Sequence, residues 1–225
     1  RRRHTRYWRD WSSDVCSSDL QRAFDQVLHD VCIQRLPVVF AVDRAGLVGN
    51  DGETHQGVYD ISFLREIPHL TIMCPSDEAE LRNHLFTAVR HGEGPVVVRY
   101  PRGNGTGVSL DEPISEVPLG KGRVVQRGHD VLLCALGTTV QTAVKAAAEI
   151  KATLNLSCTV IDARFAKPLD EDLFVKEAIF RAAFALAGSK LGARRILGMN
   201  NRQFNNYLSK LDILTQYKEK KDGIN

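Results

Sequence analysis

The chain has 225 residues, 43% hydrophobic and 25% charged, with 17 Gly and 8 Pro. These values exclude collagen-like, fully disordered and disulfide-scaffold classes and leave room for one large domain or two smaller ones. The net charge of +3 is unevenly spread: residues 1–9 carry +5 and residues 176–225 carry +6, which leaves 10–175 at −8 and predicts a composite rather than one uniform module.

No apolar run approaches the roughly 18–20 residues of a membrane span, so no membrane partner is expected. Five cysteines at 16, 32, 74, 134 and 158, with no C-x-x-C, predict buried thiols in a reducing, cytoplasmic setting and no metal site. The first twenty residues, RRRHTRYWRDWSSDVCSSDL, show neither helical nor alternating apolar period. Asp10, Asp14 and Asp19 argue against a transit peptide, and no apolar stretch follows for secretion. The stretch WRDWSSDVCSSDL resembles a spurious segment that recurs at the broken ends of assembled genes. Residues 1–20 are therefore read as non-native or disordered, and the fold as starting at Gln21.

From there Ala23, Val27, Leu28, Val31 and Ile33 predict an amphipathic helix ending before Pro37. PVVFAV (37–42), LTIMC (70–74) and PVVVRYP (95–101) are continuous apolar runs of the kind that form strands covered on both faces. Between the last two, SDEAELRNHLFTAVRH (76–91) predicts a helix capped by Ser76 or Asp77, with Leu81, Leu85 and Val89 on its inner face. Strands and helices in this alternation predict an α/β fold with a parallel sheet.

Residues 104–118, rich in Gly, Pro and acids, read as an interdomain linker. A second, partial α/β domain then runs over 119–173: strands at 122–126, 130–137 and 156–164, and a helix at 138–154 with Thr138 or Thr139 at its cap. Gly137 before that helix could offer amides to an anion, a geometry common to every α/β fold. Beyond Leu173 all periodicity is helical. Ile179, Ala183, Leu186 and Ala187 form one stripe, Ala193, Ile196 and Leu197 a second, and Phe204, Leu208 and Leu211 a third, with Gly198 as a turn.

The long loop 43–60 gathers Asp43, Arg44, Asp51, Glu53 and His55 among four glycines, at the carboxyl end of a strand where α/β folds build sites. On spacing alone, Asp51-Gly52 also reads as a tight turn and His55 as a surface imidazole. Arg102 follows the third strand at the same sheet edge, and Arg22 lies near the start of the first helix. Two guanidiniums and an imidazole there would suit a phosphorylated or carboxylated substrate, although each Arg alone reads as a surface charge.

The segments DRAGLVGNDGETHQG (43–57) and VVVRYPRG (96–103), within 21–103, resemble the pyrimidine-binding domain of the 1-deoxy-D-xylulose-5-phosphate synthase family, part of the wider transketolase-like group. LGKGRVVQRGHDVLLCALGTTV (119–140) and TVIDARFAKPLDEDL (159–173) resemble the opening of that family's carboxy-terminal domain. The resemblance implies a transferase, homodimeric, that uses thiamine diphosphate and Mg²⁺ to decarboxylate pyruvate and join the two-carbon fragment to glyceraldehyde 3-phosphate, feeding isoprenoid, thiamine and pyridoxal synthesis. It further implies that Arg22 and Arg102 grip the aldehyde's phosphate and that Asp51 and His55 serve binding and proton transfer at the reacting carbons.

The family's cofactor-contacting glutamate and ring-stacking aromatics should lie just before Gln21, yet no Glu precedes Glu53. The family's preceding domain, which binds the diphosphate and magnesium, has no counterpart in this sequence. The chain alone is therefore expected to be inactive, with a tendency to self-associate through surface that domain would cover.

The string GSKLGARRILGMNNRQFNNYLSKLDI (188–213) resembles a Fis-type helix-turn-helix. That resemblance implies Ala193 at a helix crossing, Asn200, Asn201, Arg202 and Asn205 facing the major groove, and Arg194, Arg195 and Lys210 meeting phosphates. The plainer reading is an amphipathic helical tail. The alternative function is thus a DNA-binding protein on a catalytically empty α/β body, and the join near 174 reads as a chimera of gene fragments.

Overall fold

The computed structural model describes residues 12–49 and 52–211, and the side chains of all of these except 12–19, 210 and 211. Two compact units divide between Leu169 and Asp170. In the first, β1 (Ser12–Cys16) leads into α1 (Ser17–Arg22) and α2 (Phe24–Gln26), which runs on as a π-helical turn, Val27–Cys32. β2 (Val39–Asp43), α3 (Asp60–Glu66), β3 (Thr71–Met73), α4 (Glu78–His91) and β4 (Val96–Arg99) follow. β1, β2, β4 and β3 lie parallel in that order, as the continuous apolar runs require: Val42, Ile72 and Val96–Val98 are fully buried.

Residues set aside as lying outside the fold prove to belong to it. Ser12–Cys16 pair with Val39–Asp43 as an edge strand, and Leu20 is buried in the core. An edge strand needs only one partner, which explains why no apolar period marks it. Residues 1–11 of the predicted non-native segment lie outside the described residues.

The second α/β stretch comprises β5 (Arg123–Gln126), β6 (Val131–Ala135), α5 (Thr139–Leu154), β7 (Cys158–Asp162) and β8 (Phe165–Lys167). Its own sheet has the order β5-β7-β6, with β6 parallel and β5 antiparallel to β7. β8, which the sequence did not reveal, leaves that sheet and pairs antiparallel with β3, closing the first sheet. The two α/β stretches therefore share a sheet.

The predicted linker is no tether either. It lies along α4, clasped turn by turn. The Glu78 carboxylate accepts the amides of Thr106, Gly107 and Val108, Arg82 donates to the carbonyls of Leu110 and Glu112, Asn83 accepts the amide of Ser115, and Thr87 accepts that of Val117.

Two helical faces differ from expectation. Ile33 is 54% exposed, because the wide π turn, with the Ile33 amide donating to the Leu28 carbonyl, rotates Cys32 inward instead. On α4, Val89 is 69% exposed, while Glu80, His84, Thr87 and Ala88 are buried. Asp77 caps the helix by accepting the Glu80 amide at 2.8 Å, and Gly92 closes it in the left-handed region.

The polar inner face is explained by the second stretch. Arg164 grips Glu80 with Nε at 2.9 Å and Nη2 at 2.8 Å, and Arg123 adds Nη1 at 2.9 Å. Arg123 also donates to fully buried Asp162 at 3.2 Å and to Ser76 at 3.2 Å, while the Arg164 amide donates to Asp162 at 2.9 Å. Burial pushes the Asp162 carboxyl up, against the pull of these donors. His84, its ring tilted 53° to that of Phe165 at 5.8 Å, donates Nδ1–H to the Glu80 carbonyl at 2.7 Å, and burial lowers its imidazole. The thiols of Cys32, Cys74 and Cys158 are buried as expected, and burial pushes Cys32 up to about 11 and Cys74 to about 12; Cys134, by contrast, is exposed.

In the second unit, α6 (Glu171–Phe174) continues as a π-helical turn, Val175–Phe180, followed by α7 (Arg181–Ala187), α8 (Lys190–Ile196) and α9 (Asn201–Leu211). Phe180, Ala183, Phe184, Ala193, Phe204 and Leu208 form its core. Of the first predicted stripe, Ala183 is buried and Ala187 packs against the core, whereas Ile179 and Leu186 (79%) are exposed, because the π turn brings Phe180 and Phe184 inward. Ile196 is likewise exposed, and the Leu211 side chain lies outside those described. Among the described residues, no helix is long and apolar enough to cross a membrane.

Replacing Arg164 by Met strips the bidentate partner from a buried carboxylate. The expected loss is about 3–5 kcal/mol, read as a lower urea midpoint of unfolding at an unchanged slope.

Candidate functional site

The parallel strands β1, β2 and β4 end at one edge, and each feeds a segment carrying a candidate residue. β2 passes into Arg44, whose backbone adopts φ +57°, sparsely populated for a non-glycine residue, and whose guanidinium pairs with Asp43. The Ala45 amide donates to the Tyr100 carbonyl at 3.1 Å, fastening the start of this loop beside the exit of β4. Gly46 and Gly57 exchange backbone hydrogen bonds at 2.8 Å each, so 47–56 forms a closed excursion. Gly46, at φ +82°, makes that closure possible.

Inside the excursion, Gln56 acts as a side-chain clamp. Its Oε1 accepts the Val48 amide at 2.6 Å, and its Nε2 donates to the carbonyls of Val48 and Gly52, each at 2.8 Å. His55 follows immediately from this fixed frame, half-buried, with Nδ1 3.0 Å from Thr54 Oγ1. Arg99, the last residue of β4, secures the far end of the loop. It donates to Asp60 at 2.6 and 3.2 Å and to the Gly57 carbonyl at 2.9 Å, and Asp60 is itself buried.

The backbone thus brings the His55 loop and the Arg102 segment to one edge through Ala45 and Tyr100, with Arg102 exposed two residues beyond. Arg22 is exposed in the last turn of α1, about 8 Å along that helix from its start at the end of β1. Asp51 lies outside the described residues. Spacing overlooked Gln56 and Arg99, and for Arg44, gathered with the loop, it gave no sign of the left-handed backbone; Arg99 had left a signal, a charge closing an otherwise apolar run. A cavity of about 200 Å³ lined by Ile61, Arg65, Cys134, Leu136, Phe165 and Leu169, among others, includes no residue of 44–59 or 100–108.

The Gly137 turn adopts φ +62°, but the amides of Val140 and Gln141 that follow it already bond Gly137 and Thr138. In the tail, Asn200 caps α9 by accepting the Gln203 amide at 2.9 Å, and Arg194 donates to the Met199 carbonyl at 3.1 Å; both hold the turn. Arg195, Asn201, Arg202 and Asn205 are exposed, and the Lys210 side chain is outside those described.

Residues 14–107 match the family described as transketolase, pyrimidine binding domain, and residues 120–182 match transketolase, C-terminal domain. The second match continues nine residues past the predicted boundary at 173. The chain is 57% identical over 157 residues to a 1-deoxy-D-xylulose-5-phosphate synthase of Desulforudis audaxviator and 53% over 164 residues to that of Heliobacterium modesticaldum. These stretches cover 70% and 73% of the chain but only 24% and 25% of the relatives, so the chain spans about a quarter of their length.

Among solved structures, "Split gene transketolase, inactive beta4 tetramer" is similar with a TM-score of 0.64 and 30% identity, over 74% of this chain and 52% of that one. A transketolase from Pichia stipitis, at 16% identity and a TM-score of 0.59 over 73% of this chain and 25% of its own, shares the fold.

The residues present do not fit the thiamine diphosphate and Mg²⁺ that the family implies. β1 and α1 hold no Glu, and among the described residues no group of three or more His, Cys, Asp and Glu could hold a metal ion.

Replacing Arg99 by Leu frees the loop end and leaves the Asp60 carboxylate buried without its partner. Proteolytic cleavage at Glu53 in the native protein is expected to accelerate about tenfold, read by timed digestion and mass spectrometry.

Proposed function

Residues 14–107 and 120–182 place this chain in the transketolase-like family of thiamine-diphosphate-dependent transferases, and on that premise we propose that it is part of a 1-deoxy-D-xylulose-5-phosphate synthase. The observation that carries the reading is the contrast in identity: 53–57% to synthases of two bacteria, against 30% to the split-gene transketolase. The reaction joins pyruvate and glyceraldehyde 3-phosphate to 1-deoxy-D-xylulose 5-phosphate with loss of CO₂. The cofactor, when bound in the complete enzyme, supplies the carbanion chemistry.

This chain's own part is to form one wall. Arg102, with Arg22, binds the phosphate of the aldehyde substrate, which guanidinium forks suit by charge and geometry. His55, next to the Gln56 clamp and to Thr54, moves a proton at the substrate's reacting end, with Asp51, four residues earlier in sequence, as a hydrogen-bonding partner. What supports this reading is the edge fixed by Ala45–Tyr100 and Arg99–Asp60, which joins the loop carrying His55 to the segment carrying Arg102.

The split-gene transketolase offers a parallel, since that protein is described as an inactive β4 tetramer. We infer that this chain acts only together with residues that hold the cofactor, and that it self-associates as a homodimer in the assembled enzyme. Incubated alone with both substrates, thiamine diphosphate and Mg²⁺, the purified chain is expected to form no 1-deoxy-D-xylulose 5-phosphate. Measurable turnover overturns that reading.

A second reading concerns the tail. α8, a four-residue turn and α9 pack around buried Ala193, with Gly198 at φ +60° in the turn, and present Asn201, Arg202 and Asn205 outward. A duplex partner for this face would be held largely by phosphate contacts. Its affinity is expected to fall with salt at a logarithmic slope of about −0.9 per contact, and a shift insensitive to salt, or none, dismisses it.

A further inference from the structure

The exit of β4 is held at a second point, well away from the loop that carries His55. Tyr100 is fixed on one side, its amide donating to Val42 and its carbonyl accepting from Ala45. Six residues later the chain meets the carboxylate of Glu78, at the start of α4. Oε2 accepts the amide and hydroxyl of Thr106, both at 2.9 Å, and Oε1 accepts the amides of Gly107 at 2.6 Å and Val108 at 3.1 Å.

Three successive backbone N–H groups turned toward one anion form a nest, a conformation that needs one left-handed residue. Gly107, at φ +82°, supplies it. Gly105 has a separate role: a Cβ there would lie 2.7 Å from Oε1 and 2.9 Å from Cδ of Glu78, so only glycine lets the carboxylate approach. These donors, its own amide first and that of Thr106 next, hold the Glu78 carboxyl down at about 2. A carboxylate whose folded pKa is depressed contributes its full hold above its unfolded value and loses it as pH falls from there through the folded one, so the clasp is closed throughout the neutral range.

Arg102 lies between these two fixed points, on a span of only five residues, 101–105. We propose that Glu78 is a positioning residue for Arg102: by capturing residues 106–108 in a backbone nest, it fixes the short span from which the guanidinium reaches substrate phosphate. Glu78 touches no substrate itself. The proposal rests on the reading of Arg102 as a phosphate ligand only for its consequence in binding; the fixing of the span stands on the geometry of the nest.

The test uses the full chain and has two arms. In the first, backbone ¹⁵N relaxation is measured in the wild type, in Glu78→Gln, whose amide clashes donor against donor with the nest, and in Gly105→Ala, which drives the carboxylate out. Order parameters over 102–108 are expected to fall from rigid values to below about 0.6 in both variants while those of α4 stay unchanged. Unchanged order over 102–108 overturns the proposal.

In the second arm, glyceraldehyde 3-phosphate is titrated against the wild type, Arg102→Ala, Glu78→Gln and the double variant. Arg102→Ala is expected to weaken binding about tenfold and Glu78→Gln about threefold, with the double variant no weaker than Arg102→Ala, because a residue acting through another adds nothing once that other is gone. Additive losses overturn the positioning role. A wild type that does not bind the phosphate, or an Arg102→Ala variant that binds as well, overturns the phosphate-site reading instead, and the relaxation arm still decides the role of Glu78.

Discussion

The first unit depends on one buried carboxylate. Glu80 sits buried on the inner face of α4, and it is neutralised by guanidiniums from two points of the second α/β stretch. Taking such a charge out of water costs several kcal/mol unless its hydrogen bonds are completed, so α4 and the 123–164 region are stable only together. Asp162 carries the constraint further. Held by Arg123 and by the Arg164 amide, it brings the end of β7 into the same network and directs the chain toward β8.

What could be read from the sequence follows from where each element finds its partners. PVVFAV, LTIMC and PVVVRYP were legible because strands covered on both faces need unbroken apolar runs. β8 was not, since three residues, FAK, hold no period and their pairing partner lies more than ninety positions away. β1 was concealed for a related reason: an edge strand pairs through its backbone and can tolerate Ser and Asp. The inner face of α4 was legible in Leu81 and Leu85, which pack against the core, but not in Glu80 and His84, which look like solvent residues until Arg164 is placed beside Glu80. Both π-helical turns shifted the phase of helices whose existence was clear, moving Ile33, Ile179 and Leu186 outward. The strap over 104–118 left no pattern at all, because its bonds join backbone amides to side chains about thirty residues earlier.

The site was legible as a place more than as a mechanism. The length and glycine content of the 43–60 loop pointed to one sheet edge, and VVVRYPRG put the Arg102 segment at the same edge, where the Ala45–Tyr100 bond joins the two. The supporting residues, Gln56 and Arg99, act through backbone carbonyls and a buried Asp, contacts that no local spacing encodes. The helical tail shows the same division: Ala193 and Gly198 were readable from their size and conformation, whereas the capping by Asn200 and the turn contact of Arg194 appear only in three dimensions.

The antiparallel pairing of β8 with β3 has a consequence for how this molecule can be divided. Cutting the polypeptide within the strap would seem to separate two modules cleanly, but the amino-terminal product would keep β3 with a row of unsatisfied amides and carbonyls along its outer side. Thr71–Met73 carries neither Lys nor Pro on that edge. A fragment that keeps this edge covered therefore extends at least through Lys167.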